Sequence, residues 1–251
     1  MRTLMSERYA PITTRIGFLH APLDRVAAEA ASWMAGFEPN VRTGELRGPL
    51  EGLLPRLEPL VSAIRPRMLY VETSGGTWTA YFDCLANGTD PVSPVNGLAR
   101  RLGCEGVRLT TKPDEYGPDA SGRYGRQGAV AFALVGHGGP GDMVGTGVRS
   151  VSVIREGSRF RFDQYGEVQP FEQPERYESR RIRERFTSQM LEAYCRALGL
   201  DPFEASAYGP RAVLLECDAQ YTPKGHPFLF SLAEAQAKLG IVPGAADQAR
   251  G

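Results

Sequence analysis

"RMLYVETSGGTWTAYFDC", residues 67–84, decides the fold. β-Branched and aromatic residues flank a glycine-rich "SGG" at 74–76, which predicts two short strands joined by a tight turn. A second stretch of the same kind is "SVSVIREGSRFRFDQYG", residues 150–166, turning at "EGS". Its Phe160 and Phe162 alternate with Arg159 and Arg161, so one side of that hairpin is buried. Hairpins, rather than strand–helix–strand crossovers, dominate the chain. The expected class is therefore α+β: a mostly antiparallel sheet with helices packed on one face.

The neighbouring segments fit that frame. In "PLDRVAAEAASWMAGF", residues 22–37, Leu23, Val26, Ala27, Ala30, Trp33, Met34 and Phe37 recur at helical spacing, with Pro22 in the first turn. Residues 49–63 predict a second helix broken by Pro55 and Pro59. In "DPVSPVNGLARRLG", residues 90–103, Ser93 is the expected cap, Pro94 the first helical position and Gly103 the stop. Strands are expected within 10–20, 105–111, 129–135 and 211–219. From Pro174 a basic helical region runs on through Ile182, Phe186, Met190 and Ala193, with a fresh cap at Thr187 or Ser188 and an end at Gly199. Residues 1–218 read as one α+β domain; each hairpin is followed by a helix and a strand, so the parts 1–125 and 126–218 are either halves of a divergent duplication or alike by chance. A tail, 219–251, carries a short helix at 231–239.

Composition bounds the function. Twenty-nine basic residues balance 29 acidic ones in 251 residues, which disfavours nucleic acid or an anionic membrane as partner. The N-terminus lacks the apolar core of a signal peptide, and the longest notable apolar run, "AVAFALV", is too short to span a bilayer. The chain reads as soluble and cytoplasmic. Cys84, Cys104, Cys195 and Cys217 form no CxxC pair and read as buried thiols, with no metal and no cofactor expected.

Motifs for chemistry are thin. "GHGGPGD", Gly136–Asp142, has the glycines of an oxyanion or phosphate loop. The chain has neither the G-x-S-x-G elbow nor a GxxxxGK[ST] loop to complete such a site. His20, His137 and His226 share no ligand spacing. If the chain is an enzyme, His137 is the acid–base and Asp142 its partner, with the loop amides as anion donors. Otherwise the loop is a wide turn. Asp83, Asp90, Asp114, Glu115 and Asp119 read as turn-forming acids. In "ERYESRRIRERF", residues 175–186, glutamates interleave with arginines and offset much of the charge. Arginine and tyrosine are enriched at interfaces, so Arg180, Arg181 and Arg183, with Tyr116 and Tyr124 of the long loop, are the candidate partner contacts.

"TWTAYFDCLANGTDP" (77–91), "LARRLGCEGVRLT" (98–110) and "RIRERFTSQMLEAYCRALGLDPFE" (181–204) resemble an uncharacterised bacterial family akin to polymorphic-toxin immunity proteins. The similar region covers roughly residues 67–216. The resemblance implies a non-enzymatic protein that binds a protein partner, a toxin, and neutralises it by complementary shape and charge. Two alternatives stand beside it. One is an enzyme of unrecognised class using the Gly136–Asp142 loop. The other is an assembly component docking through the "HPFLF" tail, residues 226–230.

Overall fold

The computed structural model describes residues 1–38, 40–115, 117, 125–136, 147–218 and 228–243. The elements follow in chain order. After two short 3-10 turns come β1 (Arg15–Leu19), α1 (Leu23–Ala35), β2 (Arg42–Arg47) and α2 (Leu50–Leu53). Next are β3 (Leu60–Val61), the hairpin of β4 (Arg67–Thr73) and β5 (Thr79–Asp83), then α3 (Val92–Leu102), β6 (Gly106–Lys112) and β7 (Ala129–Val135). The second hairpin is β8 (Gly147–Glu156) with β9 (Arg159–Gly166). It is followed by α4 (Ile182–Arg185), α5 (Ser188–Ala197), β10 (Tyr208–Glu216), β11 (Leu229–Phe230) and α6 (Leu232–Leu239).

Nine strands form one sheet in the order β2-β10-β4-β5-β1-β6-β7-β8-β9. Every neighbouring pair is antiparallel. At its centre β4-β5-β1-β6 is laid down as strand, helix, hairpin, helix, strand, with α1 and α3 on the same side. That is the split β-α-β-β-α-β arrangement, ferredoxin-like in plan. The segment from β2 to β3 is inserted between α1 and β4. The remaining strands widen the sheet on both flanks.

The class is α+β with an antiparallel sheet, as the hairpins predict. The helices, however, occupy both faces rather than one. Leu69, Val71, Phe82, Phe132 and Val151 pack with α2 and α5 on the first face. Leu19, Tyr70, Tyr81 and Val213 pack with α1 and α3 on the second. A sheet whose central strands are apolar on both sides must be covered on both. The burial pattern of β5, buried at all five residues, carries that signal. The two hairpin–helix–strand runs thus lie differently: α3 sits on the second face and returns the chain to β1, whereas α5 sits on the first and sends it to β4.

Local chemistry explains the boundaries. A Cβ on Gly17 would stand 2.5 Å from a Val95 methyl, and one on Gly106 2.6 Å, so these glycines let α3 lie directly on β1 and β6. Gly103 ends α3 in the left-handed conformation, φ 61°. The N-cap position is Pro91 rather than Ser93, and the Asp90 carboxylate accepts from Val92 N instead (3.2 Å). The basic helical region does not run on as one helix. It breaks at Phe186, which is extended (φ −146°, ψ 116°) and buries its ring, and Thr187 then caps α5 by accepting from Met190 N. Ala193 consequently faces solvent, as does Phe37 beyond the end of α1.

The ends of the chain fold back onto the body. Arg2 pairs with Glu192 and Glu204. Glu7 meets Arg126 at 2.5 Å, and Arg126 also holds Glu115 at 2.7 Å. Leu229 and Phe230 pair with Val61 and Leu60. Ser231 and Glu234 form a capping box at the start of α6. Gln236 Nε2 donates to the carbonyls of Arg8 (3.0 Å) and Ala10 (2.9 Å). The short helix expected at 231–239 is α6.

Candidate functional site

The second face of the sheet is covered only in part. α1 rests against β4 and β10, and α3 against β1, β6 and the near end of β7. Over the rest of β6–β9 no described helix packs. Strand alternation sends Val107, Leu109, Phe132, Val151 and Val153 into the first core. Their neighbours point the other way, onto an open surface. The cross-strand register Thr110–Ala131–Ser152–Asp163 and, two residues along, Arg108–Ala133–Ser150–Tyr165, lays these side chains in rows. Ala131, Ala133, Ser150 and Ser152 make a level floor of small, half-buried residues. Val148, Ile154 and Tyr165 stand exposed around it (Tyr165 is 65% exposed).

Asp163 closes one row at the β9 edge, and the opposite, β6 end of the surface is positive. Arg15 is paired across to Thr110, diagonal to both Arg108 and Lys112 on β6. Diagonal neighbours of this kind lie about 7–8 Å apart. Arg108 Nε is shut off from solvent and has no hydrogen-bond partner. Burial holds the Arg108 guanidinium below its ordinary pKa, with Asp90 opposing. Burial, then Arg15 and Arg126, likewise hold the Lys112 ammonium below the usual lysine value. Neither Arg15 nor Lys112 pairs with a described carboxylate. Lys112 also borders a cleft of about 210 Å³ beside Asp114, Phe160 and Arg183. Three cations thus stand close together without a direct ion pair to any described carboxylate, Asp90 acting on Arg108 and Asp114 sharing the cleft with Lys112.

The sequence-predicted contacts fall elsewhere or apart. Arg180 and Arg181 are exposed, and Arg181 is tied to Glu184 at 3.2 Å. Arg183 is engaged within the chain: it holds Asp114 at 2.7 Å and lies over the Phe160 ring at 4.1 Å. Arg155 reaches the same Asp114 carboxylate at 2.5 Å and the same ring at 4.5 Å. Tyr116, Tyr124, His137 and Asp142 lie outside the described residues, as do Asp119 and His226. His20 stacks on Trp78, centroids 4.4 Å apart.

Of the acids read as turn-forming, Asp83 and Asp90 bond within the β5–α3 connection, whereas Asp114 and Glu115 instead pair with Arg155, Arg183 and Arg126. Asp83 is fully buried and accepts from Tyr81 OH (3.0 Å), Leu85 N (3.1 Å) and Asp90 N (3.0 Å). Burial raises its pKa, against the lowering effect of those bonds and of Arg65. This arrangement fastens the β5–α3 connection. All four cysteines are free and buried, and burial lifts the Cys84 thiol to about 11. Among the described residues no group of three or more His, Cys, Asp or Glu side chains is gathered as a metal ion would need. No described helix is long and apolar enough to cross a membrane.

Sequence reasoning missed the open face because its signal lies in strand order. Arg15, Arg108 and Lys112 belong to strands that become neighbours only through the split crossover. The one local trace is the alternation of small with large residues in "AVAFALV" and "SVSVI", which marks a face of alanine and serine. No protein-family model, no curated protein and no solved structure matches this chain.

Proposed function

We propose that this protein works in the cytoplasm by binding another protein, without catalysing a reaction, and that its contact surface is the open face of β6–β9. The observation that carries the reading is the trio Arg15, Arg108 and Lys112 beside the alanine–serine floor. The chain as a whole has zero net charge and its arginines are widely ion-paired. A cluster left unpaired on one level surface complements an acidic partner patch, which speeds encounter and fixes orientation. The whole open face of β6–β9, the floor included, spans roughly 14 Å by 20 Å, on the order of 300 Å². A stable interface covers about 800 Å² on each partner. The partner therefore reaches past the floor to the exposed Tyr165, Val148 and Ile154, and the tyrosine is the natural anchor.

The family resemblance supports the more specific form of this proposal: an immunity protein whose acidic-faced partner is a toxin. Co-expression with a toxin encoded by a neighbouring gene tests it. Protection and a co-purifying complex are expected, and both should disappear when Arg15 and Arg108 are changed together to glutamate. A complex that survives the double reversal would rule out the open face. Absence of any complex or protection would rule out the immunity role.

A further inference from the structure

On the far side of α3 from the open face lies a cavity of about 240 Å³, between the C-terminal end of α1, residues 63–65, β4 and the start of α3. Its walls are largely apolar: Trp33, Met34, Ile64 and Met68. Among the described residues that line it, only Glu38 has a side-chain atom, Oε2, that is both buried and without a hydrogen-bond partner. Tyr70 also lines it, is only 1% exposed, and its hydroxyl makes no hydrogen bond with any described residue. Buried polar atoms are nearly always paired, and an unpaired one costs about 1–3 kcal/mol, more when charged.

The nearby guanidinium does not relieve Glu38. Arg65 is already committed to Asp90 at 3.0 Å and lies 3.8 Å from Asp83. Cys217, at the edge, is a weak donor that points at the carbonyl of Arg65 (3.7 Å). The cavity wall thus includes a carboxylate with no described donor, its Oε2 sealed and its other oxygen left to face a ligand, and a phenol with no described partner, among aromatic and thioether side chains. Its volume falls below the ~300–1,000 Å³ of pockets that hold drug-sized ligands. A water cluster would satisfy the two polar atoms but leave the apolar walls wet.

We propose that this cavity binds a small organic amine carrying an aromatic group, its ammonium on Glu38, its ring against Trp33, Ile64 and Met68, and Tyr70 hydrogen-bonded to it. A cation beside indole and phenol rings gains a further attraction. The site is separate from the open face and stands whether or not that face binds a protein.

The test uses the full chain and 2-phenylethylamine, with 2-phenylethanol as the uncharged probe, followed by calorimetry and by tryptophan emission. Saturable one-to-one binding of the amine is expected, with the alcohol weaker. Glu38→Gln should weaken the amine by roughly ten- to a hundredfold, the span of a lost charged hydrogen bond. The exposed Ser93 sits at the mouth, and Ser93→Tyr should block entry without disturbing Glu38. Thermal midpoints of both variants serve as the folding check. Failure of the amine to saturate, or equal affinity in Glu38→Gln, would overturn the proposal, as would an alcohol that binds as tightly as the amine.

Discussion

Arg149 and Glu172 form a doubly hydrogen-bonded ion pair sealed inside the protein, Nε to Oε1 at 2.8 Å and Nη2 to Oε2 at 2.7 Å. Their side chains are 1% and 0% exposed. Tyr177 OH donates to the same carboxylate at 2.5 Å and sits 2.8 Å from Tyr194 OH. The remaining guanidinium hydrogens go to Gln164 and to the carbonyls of Tyr165 and Gly166. The network ties the end of the β8–β9 hairpin to the segment that enters α5. Removing one partner leaves a buried charge uncompensated, which costs about 3–5 kcal/mol. Glu172→Gln should lower unfolding stability by that amount in urea denaturation. A loss under about 1 kcal/mol would show that the pair is replaceable.

The same pair sets an acid limit. Burial alone would raise the Glu172 pKa, but the bonds from Arg149 and Tyr177 outweigh it and hold it below its ordinary 4.5. The unfolded chain then binds more protons than the native one. The stabilisation is complete above pH 4.5 and drains away as pH falls through the depressed native value. Denaturation midpoints measured from pH 7 downward should be flat in wild type until that range. Glu172→Gln should lose less stability over the same acid step.

Asp114 is the common anchor of Arg155 and Arg183, and it also accepts from Gly128 N at 3.2 Å. The Arg155 hydrogen bond is the chief cause of its lowered pKa. Asp114→Asn keeps the shape and removes the charge. With the carboxylate about one-fifth exposed, the expected cost is about 1–2 kcal/mol. Arg183 is half-free at the surface, so Arg183→Ala alone should cost less than about 1 kcal/mol. A double-mutant cycle reads the coupling. Equal costs for the two changes would mean that Arg183, and not Arg155, carries the anchor.

Gly166 closes β9 at φ 84°, and a Cβ there would stand 2.0 Å from the carbonyl oxygen of Val148. Backbone cannot yield as a side-chain tip can. Gly166→Ala should destabilise by about 2–4 kcal/mol through strain and displacement of the strand, and should loosen the Arg149 network bonded to its carbonyl. Amide exchange along β9 gives the readout. Unchanged protection there would mean that the strand end adapts freely.

On the open face, Ser152→Arg should leave the thermal midpoint nearly unaltered, within about 0.5 kcal/mol, because nothing described packs over it. It should nevertheless weaken partner binding at least as much as Arg15→Ala does. Equal binding by Ser152→Arg and wild type would place the interface elsewhere on the molecule.

The hairpins, the α1 stripe, the Gly103 stop and the Thr187 cap were legible because each rests on residues adjacent in the chain. Both hairpin turns, including Gly157 at φ 59°, lie where the glycine pattern puts them. What escaped was non-local. β2 reads as polar, and its six residues are mostly exposed at the sheet edge, so no buried alternation marks it. The second helical layer depends on strands apolar on both sides, a property seen only when both neighbours are known. The unpaired state of Arg15, Arg108 and Lys112 could not be read either, because it depends on which carboxylates fail to arrive.

β10 is the strand that β2 and β4 both wait for, and it is encoded some 160 residues after β2 begins. During synthesis the ferredoxin-like centre can assemble from β1, β4, β5 and β6 while β4 still bears a bare edge. β2 meanwhile has no sheet to join. The ribosome thus releases the chain through a stage in which a long apolar strand edge is open to any passing strand. A chain ending before Tyr208 would stay in that stage. Its natural fate is association with other nascent chains, so the last third of the sequence acts as the seal on the first.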